Sequence, residues 1–549
     1  MTSKLERARA AYDRQAWAEA CNAFSAAADE ATLAGDDHQR YAVAAYLIGA
    51  DEPCEHQWEA AHRAALDADD AAGAARCAVL LALCLVLRGQ TAHAGGWLAR
   101  AEGLLEESRI ECAASGYVLI PKLLGALAAG DVAAALDLSL RATELGRRFD
   151  DQDLRALGVL GHGQALIARG ESDTGLARLD DVMVTVTAGE VGPVVSGIVY
   201  CAVIKECLRL FDLARAAEWT GALGAWCDAQ PDLVPYRGQC LVHRSQLQQV
   251  GGSWSEARAT VEAARCRLAD PPHPALGLAH YQEGELRRLI GDFEQAEAAY
   301  REAARHGHHP MPGLALLGLG LGDAGAAAAT IRRALQENAG PLERPALLAA
   351  AVDIFRAAGE FVEARAAAEE LAGVAASSSS PLLRAMAAHA MGSVLAVEGD
   401  PVAALTELRA AARAWQSLRM PYEAARTAVL LGLACAALGD RAAATLELDN
   451  ARAEFTELGA RPDLEHLAGL TGLVGEPPGE QVLSPREREV LVHLAAGKTN
   501  RQIADELTIS QHTVGRHVDH IFAKLGVTSR AAATAYAYEH RLLSKPPSR

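Results

Sequence analysis

Aromatic side chains make up only 5% of the 549 residues, and lysine supplies just 6 of the 52 basic groups. A chain so poor in rings and so rich in alanine suits close-packed helices better than sheet, whose pleated faces are filled by aromatic and β-branched residues. No strand-helix alternation is present, which excludes an aspartate-phosphorylated receiver domain. The eleven cysteines are odd in number, scattered, and form no C-x-x-C pair, so they read as reduced, buried thiols. The longest apolar run, Cys77 to Leu87, is too short to span a bilayer. The opening MTSKLERARAAYDRQ is charged and is not a leader sequence. A cytoplasmic protein without a membrane partner is expected.

Signatures of catalysis are also missing. Gly497-Lys498-Thr499 resembles the end of a phosphate-binding loop, but that loop needs glycine five residues earlier, where Val492 stands, and no strand precedes it. There is no nucleophile elbow and no Ser-His-Asp order. His517 and His520 lie three apart with no cysteine or acidic partner to complete a zinc site, and His306, His308 and His309 read as a solvated loop. No enzyme, no metal and no cofactor is expected.

The net charge of −18 is split unevenly along the chain. Residues 481–549 hold ten Lys/Arg against six Asp/Glu, whereas residues 1–480 hold 42 against 64. Only the C-terminal end could approach a polyanion without repulsion.

Across the acidic part a turn residue recurs about every forty positions, at Gly89, Gly130, Gly170, Asp212, Gly252, Gly291, Gly322, Gly359, Gly399 and Gly439. Five positions after each stands a small residue: Ala94, Ala135, Gly175, Ala217, Ala257, Ala296, Ala327, Ala364, Ala404 and Ala444. Such spacing predicts helix, glycine turn and helix, with small residues where the two backbones cross, and an apolar face that only the next hairpin covers. The first fifty residues, with Tyr12, Trp17, Ala20 and Phe24, read as a degenerate opening unit. The clearest unit, Gly291-Asp292-Phe293 with Ala296, Tyr300, Ala303 and Pro310, resembles a tetratricopeptide repeat. The fold class expected is therefore all-α, a tetratricopeptide-like α-solenoid over residues 1–471. A Pro-containing linker spans 472–482, and a small domain follows at 483–549.

That last segment is punctuated as short helices. Ser484 and Glu487 form a capping box, Thr499 and Gln502 repeat it, and Ser510 caps a third helix running to Leu525, with Gly526 as its stop. Val514, Val518, Ile521 and Leu525 share one face of the third helix; His512, Gly515, Arg516, Asp519 and His520 share the opposite one. A short helix, a tight turn and an amphipathic helix make the helix-turn-helix plan.

These residues resemble the DNA-binding domain of LuxR-type transcriptional regulators. The likeness runs through Leu483 to Leu491, Asn500, Ile503-Ala504, Leu507, Ile509-Ser510, Thr513-Val514, His517-Val518, Lys524 to Val527 and Ser529-Arg530. With no ATPase present, the chain looks like a shorter relative of the large ATP-binding members. The resemblance implies double-stranded DNA as partner, with the Ser510–Leu525 helix in the major groove. It also implies a homodimer paired through Ser529 to Leu542 on an inverted repeat, and activation through RNA polymerase.

The base-reading positions implied by the family match Gly515, Arg516 and Asp519. Where relatives commonly carry lysine, this chain has Gly515. Arg516 then becomes the guanine reader and Asp519 an acceptor for cytosine N4. Thr513, His517, Lys524 and Arg530 are expected on phosphates, together with Lys498. Asn500, Ser510 and His520 complete the expected DNA-facing set. The rival expectation is an adaptor whose repeats bind protein and whose C-terminal module only dimerises.

One segment of the repeats concentrates rings and cations: Trp219, Trp226, Tyr236, Arg237, His243 and Arg244. It is the candidate surface for a protein or small-molecule effector, with core filling as the alternative.

Overall fold

A computed structural model of the chain describes residues 3–30, 32–230, 232–270, 273–337, 340, 342–474, 483–507, 509–525, 527 and 529–539. The described residues are helical, with no strand among them. They divide into two compact units, residues 1–431 with 450–464, and residues 432–449 with 465 onward.

The first unit is a succession of helical hairpins, most helices packed on the next and many on the next but one. The glycines at 89, 130, 170, 252, 291, 322, 359 and 399, and Gly439 of the second unit, all take positive φ, the conformation that ends the first helix of each pair. The acidic residue after the turn often caps the second helix, as Asp323 accepts from the Ala326 N–H at 2.9 Å and Asp400 from the Ala403 N–H at 3.0 Å.

The sixth hairpin departs from the expected register. Its left-handed residue is Phe211, at φ 58°, and Asp212 is the N-cap that follows, accepting from Arg215 N–H at 3.1 Å. The crossing residue is therefore Ala216, fully buried, and Ala217 is exposed. Searching for turn formers lands on the cap here, one residue late, because phenylalanine occupies the glycine position.

At the other crossings the expected residues are buried. The approach there is close: a methyl added at Gly175 would lie 2.8 Å from the Gly163 carbonyl oxygen. Left-handed turns at Gln15 and Gly49 are followed five residues later by Ala20 and Cys54, both fully buried. The opening fifty residues are thus hairpins of the same construction, with Trp17 and Phe24 in their core.

Hairpins far apart in sequence also meet. Trp17 Nε1 donates to Gln230 Oε1 at 2.9 Å across 213 residues. Val234 N–H donates to the Leu47 carbonyl at 2.8 Å, and Ala18 N–H to Asp232 at 3.2 Å. A second line joins Ser380 Oγ to the Phe211 carbonyl at 2.9 Å across 169 residues, and Arg209 to Glu343 at 2.8 Å. A third joins Arg461 Nε to the Ile290 carbonyl at 2.7 Å across 171 residues, with Trp254 packed on Tyr422 at 5.3 Å. The array therefore winds back on itself, and each line is a seam between successive windings.

The final helix before the expected linker, Arg461–Val474, starts in the first unit, ends in the second and runs into the positions assigned to that linker; residues 475–482 lie outside the described residues. Beyond them four helices, Pro485–Ala495, Asn500–Leu507, Gln511–Leu525 and Arg530–Glu539, surround a core that includes Val490, Leu491, Ile503, Val514, Val518, Ile521, Ala533 and Ala537. Gly526 and residues 540–542, to which a helix stop and part of the pairing helix were assigned, lie outside the described residues.

Candidate nucleic-acid interface

Capping sets the boundaries of the C-terminal helices. Ser484 N–H donates to Glu487 Oε2 at 2.8 Å while Glu487 N–H donates to Ser484 Oγ at 3.2 Å, closing the box. Thr499 and Gln502 do the same at 2.9 and 3.4 Å. Ser510 Oγ accepts from Thr513 N–H at 3.1 Å and lies 2.7 Å from Thr513 Oγ1. Ser510 and Thr513 thus serve the start of the third helix. The turn between the second and third helices brings them together as a helix-turn-helix.

The apolar face of the third helix is buried, and Gln511, Arg516, Asp519 and His520 are exposed on the other side, with Thr513, Gly515 and His517 half-buried. Among the described residues, neither Arg516 nor Asp519 has a hydrogen bond or an ion pair. Gly515 has open space beside it: an added methyl would meet nothing within 4 Å. Asn500, Gln511, Gly515, Arg516 and Asp519 line a concavity of ≈ 440 Å³. Asn500 Oδ1 is shielded from solvent and accepts no hydrogen bond among the described residues.

Three other cations have intramolecular partners. Lys524 Nζ lies 2.7 Å from Glu487 Oε2, itself only 5% exposed. The Lys524 ammonium, helped by the Ser484 backbone N–H, holds the Glu487 carboxyl down at about 2. Lys498 pairs with Glu506 and lies 3.1 Å from His493 Nδ1. Arg530 Nη2 donates to the Lys498 carbonyl at 3.0 Å, bracing the loop before the second helix. His520 Nδ1 is 4.0 Å from Glu487 Oε1 and 63% exposed. Sequence alone does not separate such braces from free cations, since both look like charge on a helix surface.

The candidate effector residues are spread over different environments. Tyr236 is 4% exposed and its hydroxyl donates to the Val194 carbonyl at 2.8 Å. With that proton committed, Tyr46 must be the donor in the 3.4 Å contact between the two tyrosine hydroxyls. Trp226 is half-buried, with ring centroids 5.8 Å from Tyr200 and 6.0 Å from Tyr236. His243 is buried, which pushes its imidazole down to about 4. Trp219 is half-buried with its Nε1 enclosed and without a hydrogen-bond partner among the described residues, Arg244 is exposed, and the Arg237 side chain lies outside the described residues. Structure thus joins Trp226 and Tyr236 along the first seam, where Trp17, Tyr46 and Gln230 also converge. Sequence reasoning placed Trp17 in the opening unit but did not bring it, Tyr46 or Gln230 to this segment, because contacts across about two hundred residues leave no periodic trace.

In the histidine loop His306 and His309 are exposed, as expected, and His308 is half-buried. His306 stacks on His280 at 5.6 Å and His308 packs on Tyr281 at 5.0 Å, and burial lowers the His308 pKa. Among the described residues no group of three or more His, Cys, Asp or Glu could hold a metal ion, and no helix is long and apolar enough to cross a membrane.

Residues 481–537 match the family of bacterial regulatory proteins, luxR family. The C-terminal segment is a LuxR-type helix-turn-helix domain. Over 74 residues the chain is 43% identical to a probable HTH-type transcriptional regulator, GfsR, of Streptomyces halstedii, covering 14% of this chain and 30% of the relative. It is 48% identical over 77 residues to a probable transcriptional regulatory protein, NarL, of Mycobacterium tuberculosis, covering 13% and 36%. To the transcriptional regulatory protein LiaR of Bacillus subtilis it is 42% identical over 62 residues, covering 11% and 29%. The chain thus spans about a third of the length of these relatives, all within the C-terminal domain. Two solved helical structures cover more: the APC/C hetero-tetramer Cut9-Hcn1, over 85% of this chain and 96% of that one at 13% identity and TM-score 0.37, and yeast Tom70, over 86% and 96% at 12% and 0.31. Both likenesses are too loose to bear on function.

Proposed function

We propose that the protein is a DNA-binding transcription regulator. The observation that carries this reading is the luxR-family match over residues 481–537, on a domain whose third helix presents Arg516 and Asp519 unpaired on its exposed face. The helix Gln511–Leu525 would lie in the major groove, with Arg516 on guanine and Asp519 on cytosine N4. Pairing of two copies through Ser529–Leu542 would match an inverted repeat. The relatives are named as regulators, and activation through RNA polymerase is the direction we favour. In this reading the helical array senses a protein or small-molecule effector in the cytoplasm, and neither cofactor nor catalysis is required.

A second reading has one observation in its favour. Lys498, Lys524 and Arg530 are engaged inside the domain, as they would be in a module used only for dimerisation beneath a protein-binding scaffold. Sequencing of the DNA bound by the tagged full-length protein in cells separates the two. Enrichment of an inverted repeat supports the regulator, and its absence supports the scaffold.

A further inference from the structure

Glycine inside a helix is destabilising relative to alanine, and a close neighbour is the usual reason to keep it. Gly284 has such a neighbour, since a methyl there would lie 2.6 Å from the Tyr300 ring. Gly515 has none, yet it sits mid-helix on the exposed face. What the missing side chain leaves is room. Helical side chains lean toward the N-terminus and cover the turn before their own Cα. A side chain at 515 would therefore lie over the preceding turn, where Gln511 stands four residues earlier in the same row. Asp519, four residues later, continues that row.

Gln511 has no structural duty of its own. Capping of the helix is done by Ser510. The Gln511 side chain is exposed, and no hydrogen bond holds it among the described residues. It lines the same concavity as Arg516 and Asp519, with the unsatisfied Asn500 Oδ1 at its edge. In the major groove a glutamine amide, donor and acceptor together, matches adenine N6 and N7 as a bidentate pair.

We infer that Gln511 is a base-reading residue specific for adenine, and that Gly515 is the gap through which it reaches the base edge. This rests on the DNA-binding reading above. Gln511 and Asp519 are eight residues apart, a rise of about 12 Å, which corresponds to roughly three base-pair steps. The adenine therefore lies about three pairs from the base read by Asp519, with the pair opposite Gly515 left unread by that row.

The test selects sites from a random duplex pool with the full-length protein and three variants. For wild type we expect a half-site with one strongly preferred A·T pair. Gln511→Ala should reduce discrimination at that pair alone, by roughly tenfold or more. Gly515→Met, which keeps Gln511 but fills the gap, should erase the same preference. Asp519→Ala should leave it intact and relax a different position. Substituting 7-deazaadenine at the preferred pair removes one acceptor, and should weaken wild-type binding without affecting Gln511→Ala. Unchanged preferences in Gln511→Ala overturn this inference while leaving the DNA-binding reading standing. A pool in which wild type enriches nothing overturns both.

Discussion

Lys524 Nζ and Glu487 Oε2 lie 2.7 Å apart, tying the end of the third C-terminal helix to the capping box of the first across 37 residues. The carboxylate thus serves a backbone N–H and an ammonium at once, inside a nearly closed site. Removing Lys524 leaves the buried carboxylate with only the Ser484 N–H, and removing the carboxylate leaves the half-exposed ammonium without its partner and opens the capping box; the charge-assisted bond lost in either case contributes about 1.5–3 kcal/mol. Lys524→Ala and Glu487→Gln should each speed amide exchange across residues 483–539, as followed by hydrogen-exchange mass spectrometry, while exchange in the hairpins stays as in wild type.

Acid should act through the same pair. The Glu487 carboxyl is held at about 2 against an ordinary 4.5. A depressed carboxyl contributes its stability in full above 4.5 and loses it as the pH falls through 2. Protection of the C-terminal domain should decline across that window, and the decline should be smaller in Lys524→Ala. An equal decline in both proteins would mean that the pair carries no pH-linked stability.

Lys498 gives a prediction about salt. A free phosphate contact contributes about one unit to the slope of log affinity against log salt. Because Glu506 already neutralises Lys498, Lys498→Ala should change the slope by clearly less than that. Glu506→Ala, which releases the ammonium, should steepen the slope and tighten binding to all duplexes. Binding isotherms between low and physiological salt decide the matter, and a full unit lost in Lys498→Ala would make it a phosphate ligand.

The sixth hairpin separates the true crossing from its neighbour. Ala216→Phe should overpack a fully buried position and cost about 1–3 kcal/mol, as should Ala296→Phe and Ala404→Phe. Ala217→Phe, on an exposed position, should leave the melting midpoint near wild type. Equal losses at 216 and 217 would contradict the register set by Phe211.

At the first seam, Gln230→Ala removes the acceptor of Trp17 Nε1 in a buried site. The expected loss is about 1–3 kcal/mol, with a shift in tryptophan emission as the indole becomes hydrated. Trp226→Ala tests the effector surface alongside it. Loss of regulation with an unchanged melting midpoint would favour ligand binding at Trp226, whereas unfolding would make it a core residue.

Much of this architecture is legible in the sequence because it is periodic. Glycine turns and the alanines five residues later locate the hairpins, and the serine and threonine caps locate the C-terminal helices to within a residue or so. The register slips at Asp212 because a phenylalanine takes the left-handed position that glycine holds elsewhere. What the sequence hides is aperiodic. Nothing in the spacing of Trp17 and Gln230, or of Ile290 and Arg461, announces that they touch. The roles of Lys498 and Lys524 are hidden for a different reason: a cation on a helix surface reads alike whether it faces phosphate or a carboxylate behind it.

The seams have a consequence for how the protein comes into being. In a plain repeat array each unit can consolidate as soon as its neighbour exists. Here Trp17 waits for Gln230, 213 residues downstream, which at bacterial or slower synthesis rates of about 5–20 residues per second is roughly 10–40 s. For that interval the indole and the apolar surface around it are without their cover, as is Ile290 until Arg461 emerges. Folding is thereby weighted toward non-local contacts and slowed, and the nascent chain presents a succession of sticky edges, each sealed one winding later. A ribosome stalled shortly before residue 230 would hold out an N-terminal half that is helical throughout and still unclosed.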